Sequence, residues 1–394
     1  MLFTGTCARS KTIFGFIIIF IAVIVWQRVS TEEYSTPTST STFNLETRAD
    51  PETEEQKVSL PPSNFGNELE IDSIIKEKEV VETKKDDDFL DFYIAGFPKC
   101  GTSSMMDLFR NVVNETVIIL PEQDSPNKRE YNLSDLDKAQ TLVDKIKEIS
   151  KTYNKTMKFG IKWPIGILFP SSFRNLIEVD KRHENTKIII GLRHPVKFFE
   201  SYYNYRMNKH PDTIPPANSL IGGIENSFYN VYTGLAQYER YFMQFGKVDL
   251  SADELGILST PLYKQKKSTT ALVSIPNKIF LYTLEQFKDE NVTRVNGFYS
   301  DLTSFLELEK PLTSDMLPKS NIADKQTDKK ARFDICDDAN KKVRKILVRN
   351  AKETANWFQT RLSKEIADVT IGGRDHFFTL LETWKVDPCI VSLE

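Results

Sequence analysis

The chain has 394 residues, 40% hydrophobic and 27% charged, a composition that suits a folded protein of one large domain or two to three smaller ones. Its 52 basic and 55 acidic residues leave a net charge of −3, without the basic excess of a nucleic-acid binder, although a small anionic ligand needs only a local basic pocket. Four cysteines are too few for a disulfide scaffold at this length.

In chain order, Arg9 and Lys11 in the leading segment 1–12 precede an apolar run from Ile13 to Trp26. That run is short beside the ~20 residues that cross a bilayer core. Extended to Val29, with Trp26 at an interface and Arg28 snorkelling, residues 13–29 read as a signal-anchor helix. A cleaved signal peptide is the competing reading, but no small-x-small cleavage site follows Trp26. Either reading sends the rest of the chain into the secretory lumen; the flanking basic residues favour a cytoplasmic 1–12 and a single-pass type II orientation.

Residues 30–88 are rich in Ser, Thr, Pro and Glu with no sustained apolar period, the composition of a disordered stem. Residues 89–394 then form the expected lumenal domain. Acceptor sequons for N-glycans stand at Asn114, Asn132, Asn154 and Asn291, a number compatible with the lumen and close to chance. Cys7 precedes the apolar run and Cys100 lies in a candidate ligand loop. Cys336 and Cys389 therefore remain as the natural pair for an oxidising compartment, or as two buried thiols.

From Phe89 onward short apolar runs alternate with helical periods, the pattern of an α/β fold with a parallel sheet flanked by helices. Phe89–Gly96 reads as a strand. Ser104–Val113 reads as a helix with Met105, Leu108, Phe109 and Val112 on one face. Val117–Leu120 is a short strand and Lys187–Leu192 a strong one, after which Pro195 opens a helix. Lys278–Leu284 is a further strand, followed by a helix carrying Val295, Phe298, Leu302, Phe305 and Leu306. Asp337–Leu362 is a long amphipathic helix and Asp375–Trp384 the last one.

The chemistry centres on the loop Gly96-Phe-Pro-Lys99-Cys100-Gly101-Thr102-Ser103-Ser104 between the first strand and first helix. Its glycines have the spacing of a phosphate-binding loop, where backbone amides and a helix N-terminus meet an anion. The lysine that normally follows the second glycine is replaced by Thr102, and Lys99 lies inside the loop instead. This gives a P-loop-like element with its positive charge displaced.

The Pro-Lys-x-Gly-Thr-Ser pattern after a first strand resembles the 5′-phosphosulfate loop of sulfotransferases that use 3′-phosphoadenosine-5′-phosphosulfate (PAPS). A second element of that family is a strand ending in Arg, then Pro, then a helix with Ser eight residues after the Arg. Here Ile-Ile-Ile-Gly-Leu-Arg193-His-Pro-Val-Lys-Phe-Phe-Glu-Ser201 matches it. The resemblance implies that Lys99, Cys100, Gly101, Thr102, Ser103 and Ser104 hold the 5′-phosphosulfate, and Arg193 and Ser201 the 3′-phosphate. Phe159-Gly-Ile-Lys162-Trp-Pro164 is similar to the Lys-Ser-Pro segment of the Golgi type II membrane carbohydrate sulfotransferases, with Trp163 in place of Ser; Lys162 would share with Lys99 the neutralisation of the leaving group. The region around Cys336 and Cys389 is similar to sulfotransferases of algal type.

The resemblance further implies a Golgi membrane location, a glycan acceptor, no metal, and adenosine 3′,5′-bisphosphate as product. The acceptor hydroxyl needs a base. None of the four histidines follows the first helix, so Glu122 after the second strand is the expected base, with Asp124 and Glu130 behind it. No separate adenine-stacking loop is recognisable. The rivals are a Golgi glycosyltransferase, a P-loop kinase and a catalytically inactive lumenal binding protein. Asp86-Asp87-Asp88 has the letters of a metal site but precedes the first strand, and the strand ending at Arg193 lacks a magnesium-binding carboxylate.

Overall fold

The computed structural model describes residues 89–390, apart from 112, 121–130, 132, 134, 154–155, 169–170, 210–213, 221–236, 255–273 and 317–331. The expected anchor at 13–29 and stem at 30–88 lie outside the described residues. So do Glu122, Asp124, Glu130, Asn132 and Asn154.

Six strands form one sheet: β1 (Phe92–Ile94), β2 (Thr116–Ile118), β3 (Lys158–Lys162), β4 (Lys187–Leu192), β5 (Ile279–Thr283) and β6 (Val369–Ile371). Their order is β2-β3-β1-β4-β5-β6 and every adjacent pair is parallel. The helices are α1 (Thr102–Asn111), α2 (Leu136–Ile149), α3 (Ser171–Val179), α4 (Pro195–Lys209), α5 (Tyr238–Met243), α6 (Val292–Leu306), α7 (Lys341–Leu362) and α8 (Arg374–Thr383).

The central strands are apolar on both faces because both are covered by helices. Along β5, Ile279 and Leu281 pack into the same core as α4, α7 and α8. Phe280 and Tyr282 enter the core formed with α1 and α6. In β1, Tyr93 likewise faces the first core, and Phe92 and Ile94 the second. The period-2 alternation of strand side chains thus divides the interior into two cores on opposite faces of the sheet.

The structure moves the ends of several expected elements. The first strand is Phe92–Ile94 and not Phe89–Gly96, because the chain leaves the sheet at Ala95 to begin the loop. Helix α1 starts at Thr102, two residues before the expected Ser104, since Met105 N–H already donates to Gly101 O at 2.9 Å. Asp337 opens a 3₁₀ turn, Asp338–Asn340, and the long helix proper begins at Lys341.

A disulfide joins Cys336 to Cys389, 53 residues apart. Arg344 of α7 reinforces it by donating to Ile335 O at 3.0 Å and Cys336 O at 2.9 Å, and by pairing with Asp387 at 3.1 Å. Closing a loop of this length is worth about 4 kcal/mol in the chain-entropy picture. Cys336→Ser/Cys389→Ser should therefore lose roughly that amount in denaturant unfolding and become insensitive to reductant; a reductant-dependent midpoint in the variant would contradict this.

Glu239, the second residue of α5, is buried, and its carboxyl meets the Thr354 hydroxyl of α7. Burial pushes its pKa up to about 7, against the smaller opposing effects of the Thr354 hydrogen bond and of Arg240. A carboxyl that holds its proton more tightly folded than unfolded contributes stability at low pH and loses it as pH rises through the folded pKa. The cost grows from under ~1 kcal/mol at pH 5 to ~3 kcal/mol at pH 8. Glu239→Gln should thus match the wild-type melting temperature near pH 5 and exceed it by several degrees at pH 8; a constant offset across that range would refute the assignment.

Candidate functional site

The sheet reverses its winding at β1, with β3 and β2 on one side and β4, β5 and β6 on the other. Ligands in open α/β sheets sit outside the carboxyl ends of the strands at such a point. Two of those ends are in register here, Ile94 opposite Lys162, while β4, whose Ile189 faces Ile94, runs three residues further to Leu192, and Arg193 reaches back to the loop at Lys99 O. The loop 95–101, Lys162 and Arg193 are therefore neighbours although their residue numbers span almost a hundred positions.

The loop turns through two residues of positive φ, Lys99 at 66° and Gly101 at 83°. Glycine adopts this freely, whereas a lysine does so at a cost of order 1 kcal/mol and only when its surroundings hold it. The restraints are visible. Cys100 N–H donates to Phe97 O at 3.2 Å, and the Tyr282 hydroxyl donates to Cys100 O at 3.2 Å. The buried Cys100 thiol stands 3.9 Å from the Tyr238 hydroxyl, and the Phe97 and Tyr238 rings pack at 4.5 Å. Gly191 of β4 lets the loop lie this close, because a Cβ there would fall 2.4 Å from Cys100 O.

Thr102 is buried, Ser103 exposed and Ser104 half-buried at the N-terminus of α1. First-turn amides lack partners inside their own helix and carry partial positive charge. The buried Lys162 donates from Nζ to Ser103 Oγ at 3.3 Å, tying the end of β3 to that terminus. Arg193 follows β4 and donates to Lys99 O at 3.4 Å. The Lys99 ammonium sits 4.9 Å from the centre of the Tyr205 ring. Withdrawal from water, then the charges of Arg193, Lys162 and Arg332, hold its pKa below the usual lysine range. Among the described residues neither Lys99 nor Arg193 forms an ion pair with a carboxylate. Ser201 is half-buried in the second turn of α4. Like charges gathered on a helix N-terminus make a site suited to a polyanion.

Two further groups were not singled out from sequence. Tyr238 opens α5 and its hydroxyl donates to Arg193 O at 2.8 Å. Glu285, in the 3₁₀ turn Leu284–Lys288 after β5, accepts from His194 N–H at 2.9 Å. Burial raises the Glu285 pKa. Its position just past a strand end, where ligand-handling residues gather, was the available signal. Tyr238 offered none. His183 and His194 are both buried, and burial lowers each pKa to about 4.

No protein-family model matches the sequence, and no curated protein matches it. Among solved structures the chain is similar to a sulfotransferase from Alicyclobacillus acidocaldarius, with 17% identity and a TM-score of 0.39 over 70% of this chain and 97% of that one.

Proposed function

We propose that the chain is a sulfotransferase that moves a sulfuryl group from PAPS to a hydroxyl of a glycan acceptor. The observation that carries this reading is the convergence of Lys99, Lys162 and Arg193 beyond the carboxyl ends of β1, β3 and β4, beside the N-terminus of α1. In this reading Lys99, Cys100, Gly101, Thr102, Ser103 and Ser104 hold the 5′-phosphosulfate. Arg193 and Ser201 take the 3′-phosphate, which a nucleotide with a single phosphate chain lacks. PAPS supplies an activated sulfuryl group, whose sulfur leaves the phosphate oxygen as it bonds to the acceptor oxygen.

The protein's part is positioning and charge stabilisation. Lys99 and Lys162 neutralise the phosphate oxygen that gains charge when its bond to sulfur breaks. Glu122 receives the acceptor's proton. The product on the donor side is adenosine 3′,5′-bisphosphate, and no metal is required. The same proposal places residues 13–29 across the Golgi membrane, 30–88 as a stem and the catalytic domain in the lumen, with N-glycans at Asn114, Asn132, Asn154 and Asn291.

The test is transfer of radiolabelled sulfate from PAPS, in the presence of a chelator, across desalted glycans and tyrosine-containing peptides. Labelling of a glycan supports the reading. Labelling confined to peptides would overturn the acceptor assignment. Metal-dependent transfer from a nucleotide sugar, with none from PAPS, would overturn the reaction itself.

A further inference from the structure

The peptide group between Arg193 and His194 is held at both of its polar atoms by side chains from other elements. On one side the buried Tyr238 hydroxyl donates to Arg193 O at 2.8 Å. On the other, Glu285 Oε1 accepts from His194 N–H at 2.9 Å. The second carboxyl oxygen, Oε2, is buried and has no hydrogen-bond partner among the described residues. A peptide group is planar, so fixing its carbonyl and its N–H fixes the plane and, with it, the place of the Arg193 Cα from which the side chain leaves the backbone.

These bonds sit where regular structure gives no support. Strand β4 ends at Leu192 and α4 starts at Pro195, which leaves Arg193 and His194 between ladder and helix. A partly buried peptide group there needs partners, and leaving one unpaired in the interior costs up to about 1–3 kcal/mol. One of the two partners also reaches the loop. Tyr238 contacts the Cys100 thiol at 3.9 Å and packs on Phe97, so the element that holds Arg193 also braces the Lys99 turn.

We infer that Tyr238 and Glu285 are positioning residues that clamp the Arg193–His194 peptide and thereby aim the Arg193 guanidinium at the 3′-phosphate. Neither touches the nucleotide. Their contribution is to the orientation of one charged group, and so to discrimination between a nucleotide that has a 3′-phosphate and one that does not. This inference rests on the nucleotide reading above.

The test compares the affinities of adenosine 3′,5′-bisphosphate and adenosine 5′-phosphate for wild type, Tyr238→Phe, Glu285→Leu and Glu285→Gln. Phe and Leu keep the bulk of the originals and remove the hydrogen bonds; Gln keeps an acceptor oxygen. The bisphosphate should bind about tenfold more weakly to Glu285→Leu, the loss of one aimed hydrogen bond, with the 5′-phosphate within about twofold of wild type; Tyr238→Phe, which also loses its contact with the Cys100 thiol, should weaken the bisphosphate about tenfold more than the 5′-phosphate. Glu285→Gln should stay within about twofold for both.

Equal weakening of both nucleotides, no weakening of either, or a Glu285→Gln variant as impaired as Glu285→Leu would overturn the clamp while leaving the nucleotide reading intact. Wild type that binds neither nucleotide would overturn the reading and the clamp with it. If Tyr238→Phe fails to fold, the contrast between the two Glu285 variants decides the matter alone.

Discussion

Lys99→Ala should give a folded protein whose transfer rate is lower by about 10²–10³, the loss typical of removing one preorganised stabilising group from a developing anion. Removing the side chain beyond Cβ breaks none of the hydrogen bonds that hold the turn, which run through Phe97, Cys100, Tyr238 and Tyr282. Stability should therefore stay within about 0.5 kcal/mol of wild type. The ammonium is held beside Arg193, Lys162 and Arg332 at a raised electrostatic cost, which an incoming anion would relieve. The check is kcat alongside the melting temperature: a folded variant with wild-type kcat would remove Lys99 from the chemistry.

Arg193→Ala should act mainly on affinity. A guanidinium that meets a phosphate makes charge-assisted bonds worth about 1.5–3 kcal/mol each, so the bisphosphate should bind about 10–100-fold more weakly. Because the 3′-phosphate is remote from the bond that breaks, kcat at saturating donor should fall far less than the affinity. Arg193→Lys should restore little, since a compact ammonium cannot reproduce the planar fork. An unchanged bisphosphate affinity in Arg193→Ala would refute the 3′-phosphate assignment.

What was legible in the sequence follows from which constraints are local. Strand β4 was placed residue for residue because a run of Ile bounded by Lys187 and Pro195 permits little else. The loop was legible for the same reason: glycine spacing, a lysine and two hydroxyl residues stand within one short stretch. The start of α1 lies two residues before the expected Ser104 because the positive φ of Gly101 lets the helix begin at once at Thr102. The grip on the Arg193–His194 peptide was not legible. Tyr238 and Glu285 lie 45 and 92 residues beyond Arg193, counted along the chain, and only the parallel order of β1, β4 and β5 brings them to it.

The most direct measurement is a calorimetric titration of adenosine 3′,5′-bisphosphate into the wild-type protein in the presence of a metal chelator, with adenosine 5′-phosphate as the comparison. A site built from Lys99, Lys162, Arg193 and the N-terminus of α1 should bind the bisphosphate without metal, and at least about tenfold more tightly than the monophosphate. Binding that requires magnesium, or that does not distinguish the two nucleotides, would contradict the assignment of this strand-end site to a PAPS-type donor.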